Sequence, residues 1–196
     1  MDEKTTLNNN RNTVANKTDE SLGHISYYAM PINKLLIVSI FAPIFIFYWG
    51  YKNWKIIKVE TNTKLSPFWR GIFTPFTLYG IAKRVRQSAK INGYTGGFNP
   101  TAIAIIFFIV AFLNISIQGI SLNFIALAFL LIPIQKAINY NNTKLNPNLT
   151  LTFTLNKIEW IFFILGIIGT VWSVLGASGI IPSQFIWNPD TGWVAS

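Results

Sequence analysis

The stretch Thr101-Ala102-Ile103-Ala104-Ile105-Ile106-Phe107-Phe108-Ile109-Val110-Ala111-Phe112-Leu113 carries no polar side chain after its first residue and decides what kind of chain this is. It belongs to a run of 45 residues, between Lys90 and Lys136, without a formal charge, and a second such run of 30 residues lies between Glu159 and Asp190. A bilayer core of about 30 Å is crossed by about 20 helical residues. The first run therefore predicts two transmembrane helices, 101–117 and 122–137, joined by the uncharged connector Asn114 to Ser121 as a tight hairpin. The second predicts one more, 158–180.

Composition agrees with these blocks. Hydrophobic residues make up 51% of the 196 and charged residues 12%, about half the usual charged fraction of roughly a quarter. Mean hydropathy is +0.39. The absence of cysteine excludes disulfides and thiolate chemistry. The single histidine, His24, sits in a polar stretch and reads as a solvated residue. A formal charge of +9 would suit nucleic acid in a soluble chain. Here it reads as basic residues flanking spans and facing anionic lipid, so no nucleic-acid partner is expected. The polar N-terminus lacks the apolar core of a cleavable signal, and residues 1–25 are expected to be a disordered arm ahead of a single membrane domain, 26–180.

Two shorter apolar blocks precede the long ones. Residues 35–51 contain Pro43, and residues 71–82 contain Pro75. Proline inside a helix removes a backbone donor and crowds the preceding turn, so each block is expected to break. The blocks resemble each other: Ile40-Phe41-Ala42-Pro43-Ile44 aligns with Ile72-Phe73-Thr74-Pro75-Phe76 at an offset of 32, which also carries Lys52 onto Arg84 and Lys58 onto Lys90. Each unit reads as an apolar approach, a proline break and a basic amphipathic helix.

Charge sets the orientation. The segment Lys83 to Lys90 and the loop 136–157 are basic and share a side, which should be the cytoplasm. The tail 181–196 contains no Lys or Arg and should be extracytoplasmic, with the N-terminus cytoplasmic. If the two broken blocks cross, five of the 16 basic residues lie outside; if they re-enter, all 16 lie inside. The second arrangement obeys the charge rule throughout and is the expectation. The fold class is thus all-α, a polytopic membrane protein with two proline-broken, re-entrant hairpins and three transmembrane helices.

The stretches Tyr48-Trp49-Gly50-Tyr51-Lys52-Asn53-Trp54 and Ser66-Pro67-Phe68-Trp69-Arg70, with the step Ile132-Pro133-Ile134-Gln135-Lys136, resemble those of a group of small bacterial integral membrane proteins. The resemblance covers roughly 27–180. It implies a bacterial inner membrane and carries no assigned activity. Ala42-Pro43 stands where a glycine-containing turn is expected in that group.

Chemistry is sparse. Of seven acids, four lie in the N-terminal arm and one in the tail, leaving Glu60 and Glu159; Glu159 reads as a helix-dipole partner in the first turn of the last span. Paired-carboxylate, metal and Ser-His-Asp arrangements lack parts, so no enzyme and no cofactor are expected. Lys64, Arg70, Lys83, Arg84 and Arg86 are the candidate contacts to anionic lipid, with Arg70 gripping a phosphate assisted by Lys64. Gly169, Ser173 and Ala177 recur every four residues as a candidate helix-packing face, for a helix of this chain, a second copy or a membrane-protein partner. Two functions fit: a non-catalytic scaffold or accessory component binding lipid or protein, or a small channel or carrier using the two broken helices. For the second, Ser39, Thr74 and Thr77 are the polar residues near the breaks.

Overall fold

The computed structural model describes residues 23–113, 116–117, 120–179, 185–188 and 192–195. Most of the expected arm lies outside the described residues, but the chain is already packed at Gly23 and Ile25, both buried.

Seven helices make up the packed body of the described residues. Helix α1 (Ile32–Phe41) follows Pro31, whose extended backbone caps it. It stops at Ala42, and α2 (Phe45–Glu60) begins beyond Pro43 and Ile44. A turn with Asn62 at φ 46° leads to the short α3 (Pro67–Ile72), which stops at Phe73, and α4 (Thr74–Ile91) follows with Pro75 in its first turn. Both proline breaks therefore form. Pro75 is tolerated because the first helical turn needs no donor from its nitrogen. Helix α5 (Pro100–Phe112) is capped by Asn99, whose Oδ1 accepts from the nitrogens of Thr101 and Ala102. The strands β1 (Ser116–Ile117) and β2 (Ile120–Ser121) pair as a minimal ribbon and lead into α6 (Leu122–Leu145). Helix α7 (Lys157–Ala177) opens with a capping box between Asn156 and Glu159. A ribbon of β3 (Phe185–Asn188) and β4 (Gly192–Ala195) ends the chain.

Two of the three expected spans have the length for one. Helices α6 and α7 are long and apolar enough to cross a membrane. The block expected at 101–117 yields α5, whose 13 residues reach about 20 Å. The helix ends because Leu113 turns extended into the β1–β2 ribbon. The expected loop 136–157 is also corrected in its first part. Helix α6 continues through Asn139, Asn141 and Asn142 to Leu145, because Asn141 and Asn142 are buried with partners and the half-buried Asn139 is bonded as well.

The repeat extends into burial. Ala42, Ile46, Trp49, Gly50, Asn53 and Ile57 are buried, and so are Thr74, Leu78, Ile81, Ala82, Val85 and Ala89, 32 positions on. Thus α2 and α4 turn the same register inward, onto a core completed by Phe107 of α5 and Leu131, Ile134 and Ile138 of α6. The two units lock where α2 meets the second break. A methyl group at Gly50 would overlap Thr74 Oγ1, and one at Gly71 would come within 2.7 Å of Tyr51 Cβ.

Helix α7 stands apart from this core. Only Glu159 of its residues is buried, while Ile161, Ile164, Leu165, Ile168 and Trp172 are exposed. An apolar face of this length would be an aggregation liability in water and is covered by hydrocarbon in a bilayer, which points to a membrane location.

Candidate functional site

The polar residues gather at one end of the bundle, where residues 25–30 lie extended against α6. Extended backbone away from a sheet needs partners for its amides. Asparagine side chains at helical spacing supply them. Asn142 accepts from the nitrogen of Tyr27 at 3.0 Å and donates to its carbonyl, and Asn139 does the same to Met30, at 3.3 and 2.8 Å. Asn141 donates to the carbonyl of Ile25, and Gln135 to that of Tyr28. Gln135 also accepts from Trp49 Nε1 at 2.7 Å, and Asn53 of α2 accepts from the nitrogen of Tyr28. The clamp thus ties the N-terminal segment, α2 and α6 together. Its signal in the sequence is the i, i+4, i+7 series Gln135, Asn139, Asn142.

Beside the clamp, Lys34 Nζ of α1 lies 2.8 Å from Glu159 Oε2 of α7 and donates to the carbonyl of Thr154 at 2.7 Å. The hydroxyl of Tyr28 donates to Glu159 Oε1, and the nitrogen of Asn156 to Oε2. Burial, with Glu159 beside it, holds the Tyr28 hydroxyl far above its ordinary range, so it stays a donor. Glu159 therefore does more than complement a helix dipole: it fastens α7 to α1. Both of its oxygens are bonded. Tyr27, deeply buried and bonded to Ser88 Oγ at 2.9 Å, is pushed up to about 12, chiefly by desolvation.

The five basic candidates fall into three places. Arg70 of α3 lies 4.4 Å from the Trp54 ring centroid and Arg84 of α4 lies 5.6 Å from it, so the buried indole is shared by Arg70 and Arg84. Trp54 Nε1 donates to Thr77 Oγ1, which donates to the carbonyl of Arg70, fixing the indole between the helices. Lys64 is exposed in the loop before α3. Lys83 and Arg86 point the other way. With Lys90, Gln87 and Tyr79 of α4 and Asn99 to Thr101 at the start of α5, they line a cup of about 370 Å³. No carboxylate lines it, and the N-terminal end of α5 adds its own partial positive charge.

Sequence reasoning missed a cavity of about 290 Å³ between the two breaks. Pro43, Phe47, Phe73, Pro75, Ala111 and Leu127 are among its lining residues, all of them apolar. The candidates Thr74 and Thr77 are bonded to the carbonyls of Gly71 and Arg70 instead of facing it, and Ser39 Oγ is buried without a hydrogen-bond partner.

Gly169, Ser173 and Ala177 are exposed, and nothing lies within 4 Å of a methyl group built on Gly169. The close approach of α7 within the chain is made at Gly166, where a methyl group would overlap the carbonyl of Phe41. Packing inside the chain is therefore set one turn earlier than the stripe indicates. Among the described residues no group of three His, Cys, Asp or Glu could hold a metal ion. The chain matches no protein-family model, no curated protein and no solved structure.

Proposed function

We propose that the chain is a non-catalytic integral protein of the bacterial inner membrane that binds anionic lipid on its cytoplasmic face. The observation that carries this reading is the cup of Lys83, Arg86 and Lys90 closed by the start of α5, a concave cationic surface with no carboxylate in its lining. Each such cation contributes about 1 kcal/mol near an anionic membrane surface. Arg70 and Arg84 on Trp54 add a second cationic patch on the same pair of units.

Depth supports re-entry of both breaks from the cytoplasm, with the N-terminus inside and the C-terminus outside. From Phe73 to Lys83 is ten residues, about 15 Å of helix, and from Pro43 to Lys52 nine, about 13 Å. Cations at the interface thus leave each break about half a bilayer core deep, with Arg70, only three residues before Phe73, reaching back along the Trp54 ring beside Arg84. Phe107 and Ala111 of α5 and Leu127 of α6 line the cavity beside both breaks, cover of the kind a re-entrant break requires.

A channel or carrier built on the same breaks has one observation in its favour, since Pro43 and Pro75 line one cavity. A polar solute would find no polar side chain in that lining, and no solute flux is expected from purified protein in liposomes.

The test is lipid preference. Purified protein should bind phosphatidylglycerol over phosphatidylcholine, and Lys83→Gln with Arg86→Gln should cut that preference on the order of tenfold or more. An unchanged preference in the folded double variant sinks the lipid reading. A cysteine at Asn62 should react with an impermeant thiol reagent only after cells are opened; labelling of intact cells would mean that the breaks cross.

A further inference from the structure

The cationic cup and the apolar cavity lie along one interface. On α4, Phe76, Tyr79, Lys83, Arg86 and Lys90 follow one another at spacings of three or four, on one face of the helix. Phe76 lines the cavity and Tyr79, one turn on, lines the cup. On α5 the same course is followed by Thr101 in the cup and Phe112 in the cavity, with Phe108 between them. The two helices run antiparallel, because the Phe76 ring lies 5.1 Å from that of Phe108 and 6.0 Å from that of Phe112, while Lys83 and Lys90 share the cup with Thr101. The α4–α5 interface is therefore graded, cationic where α5 begins and aromatic where it ends.

We propose that this groove holds one anionic glycerophospholipid, its phosphate in the cup and an acyl chain laid over Phe76 and Phe112 into the cavity between the two proline breaks. The proposal rests on the anionic-lipid reading above and adds to it a bound chain. Charge complementarity selects the headgroup, since three cations face it without a carboxylate. Length selects the tail. Phe76 lies about 10 Å of helix below Lys83 and about 21 Å below Lys90, bracketing the roughly 15 Å of one hydrocarbon leaflet. The cavity, about 290 Å³, is at the small end of ligand pockets and fits part of one chain rather than a headgroup. Its wall of Pro43, Phe73 and Pro75 also gives the repeated breaks a joint purpose: both line one cavity.

The experiment uses the full chain in nanodiscs of phosphatidylcholine containing phosphatidylglycerol with a diazirine at the end of one acyl chain. Illumination should place adducts on cavity residues such as Phe47, Phe107 and Leu127. Adducts confined to the exposed face of α7, at Ile164 or Ile168, would overturn the proposal with no variant required. Ala111→Phe, which fills the cavity, should lower cavity adducts roughly tenfold, the factor carried by about 1.4 kcal/mol. The milder Ala111→Leu should act in the same direction if the phenylalanine variant fails to fold. Undiminished cavity adducts in either folded variant would also overturn it. Lys83→Gln with Arg86→Gln separates this proposal from the reading beneath it. Loss of both headgroup preference and cavity adducts supports one ligand in one groove. Loss of preference with undiminished adducts makes the cavity an independent site and overturns the single-ligand proposal, while lipid binding at the cup stands.

Discussion

The two proline-broken units have matching second halves and contrasting first halves. After the break, α2 and α4 bury the same five positions at an offset of 32 and carry cations at Lys52 and Arg84 and at Lys58 and Lys90. Before the break, α1 is a ten-residue helix with Leu35 and Val38 fully buried, whereas α3 is a six-residue helix with Phe68 and Trp69 more than half exposed. Lys34 bolts the first unit to α7; the position 32 residues on is Ser66, an exposed loop residue. One sequence pattern has thus been put to two uses. The first copy holds the bundle together, and the second turns its aromatic residues and cations outward, where a ligand can reach them.

That contrast can be broken most sharply at Lys34. Lys34→Met leaves Glu159 buried without its cation and should cost about 3–5 kcal/mol, read as a lowered thermal midpoint in detergent. Ser66→Met should stay within about 0.5 kcal/mol of the parent. The double change Lys34→Met with Glu159→Leu should recover part of the loss, since no charge is left unpaired while Tyr28 and Asn156 lose their acceptor. A single variant as stable as the parent would deny Lys34 its role as a bolt.

Next in size is the contrast between the approach helices. Leu35→Ala should cost about 2–5 kcal/mol, while Phe68→Ala should leave the midpoint nearly unchanged. Equal losses would mean that α3 is as much a part of the core as α1. The contact between units comes third. Gly50→Ala drives a methyl group onto Thr74 Oγ1 and should cost about 1–3 kcal/mol, partly restored by Thr74→Ala. Gly169→Ala, in open space, should change stability by less than about 0.5 kcal/mol.

The smallest effect concerns the clamp that serves both units. Tyr27 is raised from 10.0 to about 12 in the folded chain. An acid with a raised folded value contributes stability that is fully present below the unfolded value and is lost as pH rises through the folded one. Midpoints should therefore hold up to about pH 10 and then fall toward pH 12. Tyr27→Phe should cost about 1 kcal/mol by removing the bond to Ser88 and should flatten this alkaline fall. An unchanged alkaline slope would place its origin elsewhere.

Much of this architecture is legible in the residues because local rules suffice for it. Pro43 and Pro75 interrupt helices whatever surrounds them, the 32-residue offset is visible in Phe41-Ala42-Pro43 and Phe73-Thr74-Pro75, and the uncharged runs mark α6 and α7. Where local reasoning overreached, it took apolar composition for span length at 101–117 and polar composition for loop at 139–145. Neither property sets where a helix ends. The ribbon after Leu113 stops one, and buried partners prolong the other. Of the five basic candidates, the sequence could mark the residue type but not the sorting of Lys83 and Arg86 into the cup and of Arg70 and Arg84 onto Trp54.

By itself, then, the sequence determined an all-helical chain with two broken, basic units, bilayer-length apolar helices, no cysteine and few carboxylates, because composition, spacing and proline act over a turn or two of chain. Only the tertiary structure decided which approach helix was buried, that Lys34 and Glu159 meet across 125 residues, and that both breaks open onto one apolar cavity beside a cationic cup. Those outcomes depend on which helix faces which, and that is fixed by close packing at Gly50, Gly71 and Gly166 and by amide pairing along α6, contacts between residues that no spacing along the chain relates.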